Sequence, residues 1–145
     1  MDGQLKTGTF LTAESSNKYK VISLLGAGGQ GEVYDVECGG KHYALKWYFK
    51  HMATKSQKEI LDNLITRGAP DASFLWPLDL IFKGYGESFG YIMPLRPKKF
   101  KSIVDMMKRR AEPSFQTLCK AAYNLISSYQ TVSYTHLTLP TTERV

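Results

Sequence analysis

Gly26-Ala27-Gly28-Gly29-Gln30-Gly31-Glu32-Val33, followed by Tyr43-Ala44-Leu45-Lys46, is the stretch on which the fold turns. The first run fits Gly-x-Gly-x-x-Gly-x-Val at every fixed position, with four glycines in the six residues from 26 to 31. Glycines let the backbone turn sharply and come close to phosphate oxygens, where N–H groups donate with no Cβ in the way. Two nucleotide-binding architectures use such spacing, and the element on the C-terminal side of the glycines separates them. A dinucleotide fold runs strand, glycines, helix. Here the glycines lead into Glu32-Val33-Tyr34-Asp35-Val36, which alternates polar and apolar residues as a strand does. A phosphate loop of the Walker type is excluded as well, because Gly31 is followed by Glu32 and not by Lys-Ser/Thr. The glycines therefore belong to a β-hairpin.

Working outward, Tyr19 to Leu25 is apolar and β-branched and stops at Gly26, which predicts the strand before the loop. Cys38-Gly39-Gly40-Lys41 supplies turn chemistry after Glu37, and His42 to Tyr48 is the third strand of an antiparallel meander. Lys46 lies on that strand between Leu45 and Trp47. Turned inward, it offers a point cation for phosphates held under the glycine loop. The plain alternative is an edge lysine that discourages strand pairing; the loop, 15 residues upstream, decides against it. From Thr54 the spacing becomes helical, with Ile60, Leu61, Leu64 and Ile65 on one face and Gly68 and Pro70 as the stop. Phe74 to Phe82 and Ser88 to Leu95 return to strand character, and Pro77 suggests an edge position or a bulge. The order is three strands, one helix, two strands. Phe100 to Arg110 reads as a short basic helix, and Pro113 opens a longer one with Ser114 as its cap. In that helix Phe115, Leu118, Cys119, Ala122, Leu125, Ile126 and Tyr129 form a stripe expected to be buried.

Composition bounds the rest. The chain has 145 residues, 43% hydrophobic and 22% charged, which fits one folded domain and excludes disorder. No apolar run is long enough for a bilayer, and Met1 to Phe10 has no signal-peptide pattern, so a cytoplasmic protein without a membrane partner is expected. Cys38 and Cys119 stand in no close-spaced motif, and His42, His51 and His136 form no cluster with cysteines or carboxylates, so no metal site is expected. The net charge of +6 lies wholly between Arg96 and Arg110, where Lys98, Lys99, Lys101, Lys108 and Arg109 join them against Asp105 alone. One basic segment on a balanced protein is a solvated face or a dock for an acidic partner, and argues against a nucleic-acid footprint. Val132 to Thr142 carries no charge and four threonines, departs from the helical stripe, and matches a translated sequencing-library adapter. Residues 131–145 are read as an assembly artefact without functional weight.

Glycine loop, hairpin, Ala-x-Lys strand, helix and two further strands together resemble the small lobe of the protein kinases. The resemblance covers roughly Tyr19 to Tyr129, and the wording Gly-Gly-Gln-Gly-Glu-Val-Tyr, Tyr-Ala-Leu-Lys-Trp-Tyr and Phe-Leu-Trp-Pro-Leu is most similar to bacterial kinases of the serine/threonine type. It implies an α+β chain: residues 1–18 as a lead-in, 19–95 as a small lobe of a five-stranded antiparallel sheet plus one helix, and 96–130 as the linker and first helices of a truncated large lobe. It further implies an ATP site with Mg²⁺ bridging the phosphates. Under it, Gly26, Ala27, Gly28, Gly29, Gln30 and Gly31 cover the phosphates, Lys46 holds them, and Leu25, Val33 and Ala44 enclose the adenine. Met93 gates the rear of the pocket, and Pro94, Leu95 and Arg96 form the linker, with Pro94 accepting from the adenine amino group and Arg96 donating its N–H.

Two features depart from the family pattern. The helix offers no clean glutamate to pair with Lys46: Glu59 points away from the apolar stripe, Asp62 flanks it on a shorter side chain, and Gln57 would be a neutral partner. Neither His-Arg-Asp nor Asp-Phe-Gly occurs, so no catalytic or metal-binding Asp is present, and both are expected beyond Gln130. The implied parent transfers the γ-phosphoryl of ATP to a protein hydroxyl, while this chain is inactive and poorly soluble. The alternative is a pseudokinase-like scaffold that uses the basic segment.

Overall fold

The computed structural model describes residues 3–135. These fall into two units, divided between Arg96 and Pro97. The first holds β1 (Phe10–Thr12), β2 (Lys18–Ala27), β3 (Gly31–Cys38), β4 (Lys41–Tyr48), α1 (Lys55–Arg67), β5 (Asp79–Ile81) and β6 (Gly90–Pro94). The second holds α2 (Ile103–Met107) and α3 (Phe115–Thr135).

All strand pairs are antiparallel, in the order β1-β2-β3-β4-β6-β5. The sheet has six strands, not five, because the lead-in contributes β1: Leu11 lies opposite Tyr19 and is buried. Polar residues around Phe10 and Leu11 hid a pairing that only tertiary contact could create. The strand expected over 74–82 shrinks to Asp79–Ile81, at the sheet edge that Pro77 pointed to. Although β1 and β5 are the outer strands, the Glu14 N–H donates to the Leu80 carbonyl (2.8 Å), so the segment after β1 bridges the two edges. That bridge covers backbone groups an open edge would leave exposed.

Alternation along the strands separates two apolar clusters. One face gathers Leu11, Tyr19, Val21, Tyr34, Val36, Leu45, Trp47 and Ile92; the other packs Tyr48, Leu80 and Phe89 against Leu61 of α1. In α1, Thr54 is the N-cap, accepting from the Gln57 N–H, and Gly68 ends the helix at φ 74°. Of the four expected stripe residues only Leu61 is buried, while Ile60 is 49% exposed. A helix resting on one side of a curved sheet covers a narrower stripe than the spacing suggests.

Two buried phenols fasten the N-terminal segment. Tyr34 donates to the Glu32 carboxylate and accepts from the Leu5 N–H (3.0 Å), while Gln4 N–H donates to Glu32 (2.9 Å). Tyr19 donates to Asp79 (3.2 Å). Burial first, then the neighbouring carboxylate, pushes Tyr19 and Tyr34 each from 10.0 up to about 12. A phenol whose pKa is higher folded than unfolded keeps its proton longer in the native state. Its contribution is whole below pH 10 and is lost as pH climbs toward about 12. Denaturant midpoints should therefore fall steeply across that window, and Tyr34→Phe should flatten the fall; an equally steep decline in the variant would contradict this.

In the second unit the basic helix expected over 100–110 is only five residues long. Ser102 and Asp105 form a capping box, and Lys108 closes it, leaving the basic residues largely outside. Hydrogen bonds from Ser102 hold the Asp105 carboxyl below its usual range. α3 is capped by Ser114, which accepts from the Thr117 N–H (3.2 Å). The stripe expected to be buried is instead exposed in this chain, with Phe115 at 82% and Tyr129 at 67%. The helix also runs past the expected break, to Thr135, and residues 136–145 of the tail lie outside the described residues.

Candidate functional site

The ladder registers place the sequence-predicted residues on one face of the sheet. Residues directly opposite on paired strands share a face. Gly26 lies opposite Val33, Val33 opposite Lys46, and Lys46 opposite Tyr91, giving one row across four strands. The neighbouring row holds Ala44 opposite Met93. Tyr34, Val36, Leu45 and Trp47 occupy the other face, in the core. Gly26, Val33, Ala44, Lys46 and Met93 are thereby brought together, 67 residues apart at the extremes. Leu25 is the extra residue of a bulge between Leu24 and Gly26 and is half exposed; such a bulge re-aims a side chain. Pro94, expected as the first residue of the linker, is the last residue of β6, opposite Tyr43, and Arg96 is exposed at the end of the first unit.

At the loop tip the Gly28 N–H donates to the Gly31 carbonyl (2.9 Å), and the Phe49 N–H donates to the Gln30 carbonyl (3.0 Å). The N–H groups of Gly29 and Gln30 have no partner among the described residues. The glycines divide by what requires them. A Cβ on Gly31 would stand 2.1 Å from the Trp47 carbonyl oxygen and 2.9 Å from Tyr48 Cα, so the close approach of β3 and β4 demands glycine. Around Gly26, Gly28 and Gly29 a Cβ would meet nothing within 4 Å, and none of the three has positive φ. The chain's own packing leaves those three bare without needing them bare.

Lys46 is half-buried, and among the described residues its ammonium has no ion pair or hydrogen bond. The three candidate partners on α1 are engaged elsewhere. Asp62 accepts from Lys58 Nζ (2.8 Å), Glu59 lies 3.9 Å from Lys55, and Gln57 donates to the Tyr48 hydroxyl (3.1 Å). Spacing alone could not have found this arrangement, because Lys58 also reaches Glu14 (3.3 Å) and the Phe82 ring (4.6 Å), far away in sequence. The Asp62 hydrogen bond raises the Lys58 pKa. Tyr91, to which the sequence pattern assigned no role, stands beside Lys46, and burial raises its phenol. Among the described residues no group of three or more His, Cys, Asp or Glu side chains could hold a metal ion. No helix among them is long and apolar enough to cross a membrane.

No family model matches the sequence, and no curated protein matches it. Solved structures do. Vaccinia related kinase 3 superposes on 90% of this chain with a TM-score of 0.67 at 17% identity, using 43% of its own chain. The kinase domain of PknI from M. tuberculosis superposes on 92% with a TM-score of 0.63 at 20% identity, using 52% of its own. This is a protein-kinase fold. The six-stranded sheet with α1 is its small lobe, and α2 and α3 are helices that follow it. The chain spans about half the length of these kinases or less.

Proposed function

We propose that the chain is the ATP-binding amino-terminal part of a protein serine/threonine kinase of bacterial type, acting in the cytoplasm. One observation carries the reading. Gly26, Gly28 and Gly29, which the fold does not require to be glycine, flank a loop tip where the Gly29 and Gln30 N–H groups have no partner among the described residues, and the row that runs from Gly26 through Val33 reaches Lys46, whose ammonium has no ion pair among them. Bare backbone on the same hairpin as a cation without an ion pair suits a polyphosphate. In this reading Gly26 to Gly31 lie over the phosphates, Lys46 neutralises them, and Leu25, Val33, Ala44 and Met93 enclose the adenine, with Pro94 and Arg96 at its polar edge. Gln57, which anchors α1 through Tyr48, keeps the helix in place without a carboxylate on Lys46. Mg²⁺ would supply charge neutralisation between phosphates, and its ligands, like the Asp that positions a substrate hydroxyl, would come from sequence beyond Gln130. The parent would phosphorylate protein Ser or Thr hydroxyls, and this chain alone would not turn over.

Reading the gene across its 3′ end with long reads tests the assignment. His-Arg-Asp-like and Asp-Phe-Gly segments downstream of Gln130 are expected. Their absence would favour a scaffold that docks an acidic partner on the segment from Arg96 to Arg110, whose basic side chains are exposed.

A further inference from the structure

The turn after β1 latches the N-terminal segment to β5 through two backbone N–H groups and one exposed hydroxyl. Ser15 is exposed, yet its hydroxyl donates to the carboxylate of Asp79, a residue 64 positions away and only 7% exposed. The Ser15 N–H reaches the same carboxylate (3.4 Å), and the Tyr19 hydroxyl donates to the same oxygen, Oδ2, as the Ser15 hydroxyl does (3.2 Å). One position upstream, Glu14 makes the backbone bond to Leu80 that bridges the sheet edges and an ion pair with Lys58 of α1 (3.3 Å). The turn itself is held under strain. Ser16 has φ 72°, a left-handed conformation that a serine rarely adopts, and it is closed by Ser16 N–H to Ala13 C=O (2.9 Å).

We propose that Ser15 is a phosphoacceptor and that its phosphorylation unlatches the N-terminal segment from β5 and α1. In the modifying step, catalysed by a protein kinase acting in trans, Ser15 Oγ attacks the γ-phosphorus of ATP. The P–O bond to ADP breaks, and the hydroxyl proton passes to the enzyme's base. The product loses the hydroxyl hydrogen that Ser15 donates to Asp79 and gains a charge of about −1.5 to −2 directly against a buried carboxylate. A buried carboxylate can neither leave nor be screened well by solvent, so the segment must move away. Release of residues 13–17 takes Glu14 from Lys58, which removes one of the two carboxylates that hold this lysine and with it the tie between the segment and α1. Nothing here needs bound nucleotide, so the proposal stands or falls apart from the ATP reading.

Phosphoserine installed at position 15 during translation, followed by amide hydrogen exchange without nucleotide, provides the test. Exchange at Glu14 and Ser15 should rise by at least about tenfold, the scale of one lost hydrogen bond to a charged group. Exchange should also rise in the first turns of α1, while Tyr34, Val36 and Leu45 stay protected. Ser15→Ala should give a clearly smaller rise, and Asp79→Asn should suppress the phosphoserine effect because the opposing charge is gone. Unchanged exchange in the phosphoprotein would overturn the proposal. So would a Ser15→Ala effect as large as that of phosphoserine, or a phosphoserine effect that persists in Asp79→Asn.

Discussion

Lys46→Met should weaken binding of ATP by roughly ten- to a hundredfold, the span expected when a hydrogen bond to a charged group is lost at about 1.5–3 kcal/mol. The same substitution should leave the thermal midpoint almost unchanged. Lys46 makes no ion pair among the described residues, so no partner is orphaned when its charge goes. Methionine keeps most of the apolar stem at this position, which lies between Val33 and Tyr91 in the sheet register. Isothermal titration with ATP and a melting curve on the same sample separate the two effects. A variant that binds as well as the parent chain would remove Lys46 from the site. A variant that loses both binding and stability would show that the lysine is structural.

The glycines supply the second large effect through a contrast. Gly31→Ala forces a methyl into the Trp47 carbonyl and the Tyr48 backbone. Neither is a flexible side-chain end that can swing aside, so β3 and β4 must part at Gly31 and Tyr48, two residues from the pair of Val33 and Lys46. Overpacking of this kind costs on the order of 1–3 kcal/mol or more, which in a unit of this size lowers the midpoint by roughly 5–20 °C. Gly29→Ala meets open space at an ordinary φ and should hold or slightly raise stability, by less than about 1 kcal/mol. Its methyl nevertheless sits beside the unpartnered N–H groups, so ATP affinity should fall. Equal melting of the two variants, or unaltered affinity in Gly29→Ala, would contradict the division of the glycines into structural and ligand-facing.

What could be read from the sequence was local. The hairpin from Ala27 to Tyr48 announced itself through period-two alternation and two glycine turns, and its register put Val33, Ala44 and Lys46 on one face, as the fixed spacing implied. Met93 fell opposite Ala44 because β6 pairs with β4 in the middle of the sheet. Features that depend on distant contacts were not legible. The strand at Phe10–Thr12 exists because β2 offers it an edge, and no propensity in that polar segment signals it. Asp62 looked available for Lys46 until Lys58, reaching also to Glu14, took it. Asp79 gave no sign of its role, since its partners Ser15 and Tyr19 lie 60 or more residues away. The stripe from Phe115 to Tyr129 was legible as helix, but helical spacing carries no information on what covers the apolar face.

Titration of the ¹⁵N-labelled chain with ATP, followed residue by residue through amide chemical shifts, tests the central claim most directly. Saturable shifts should cluster at Gly26 to Val33, Ala44 to Lys46 and Met93 to Arg96, and should largely vanish in Lys46→Met. Shifts confined to the basic residues from Lys98 to Arg110, or none at millimolar nucleotide, would mean that the glycine turn and Lys46 do not form a nucleotide site.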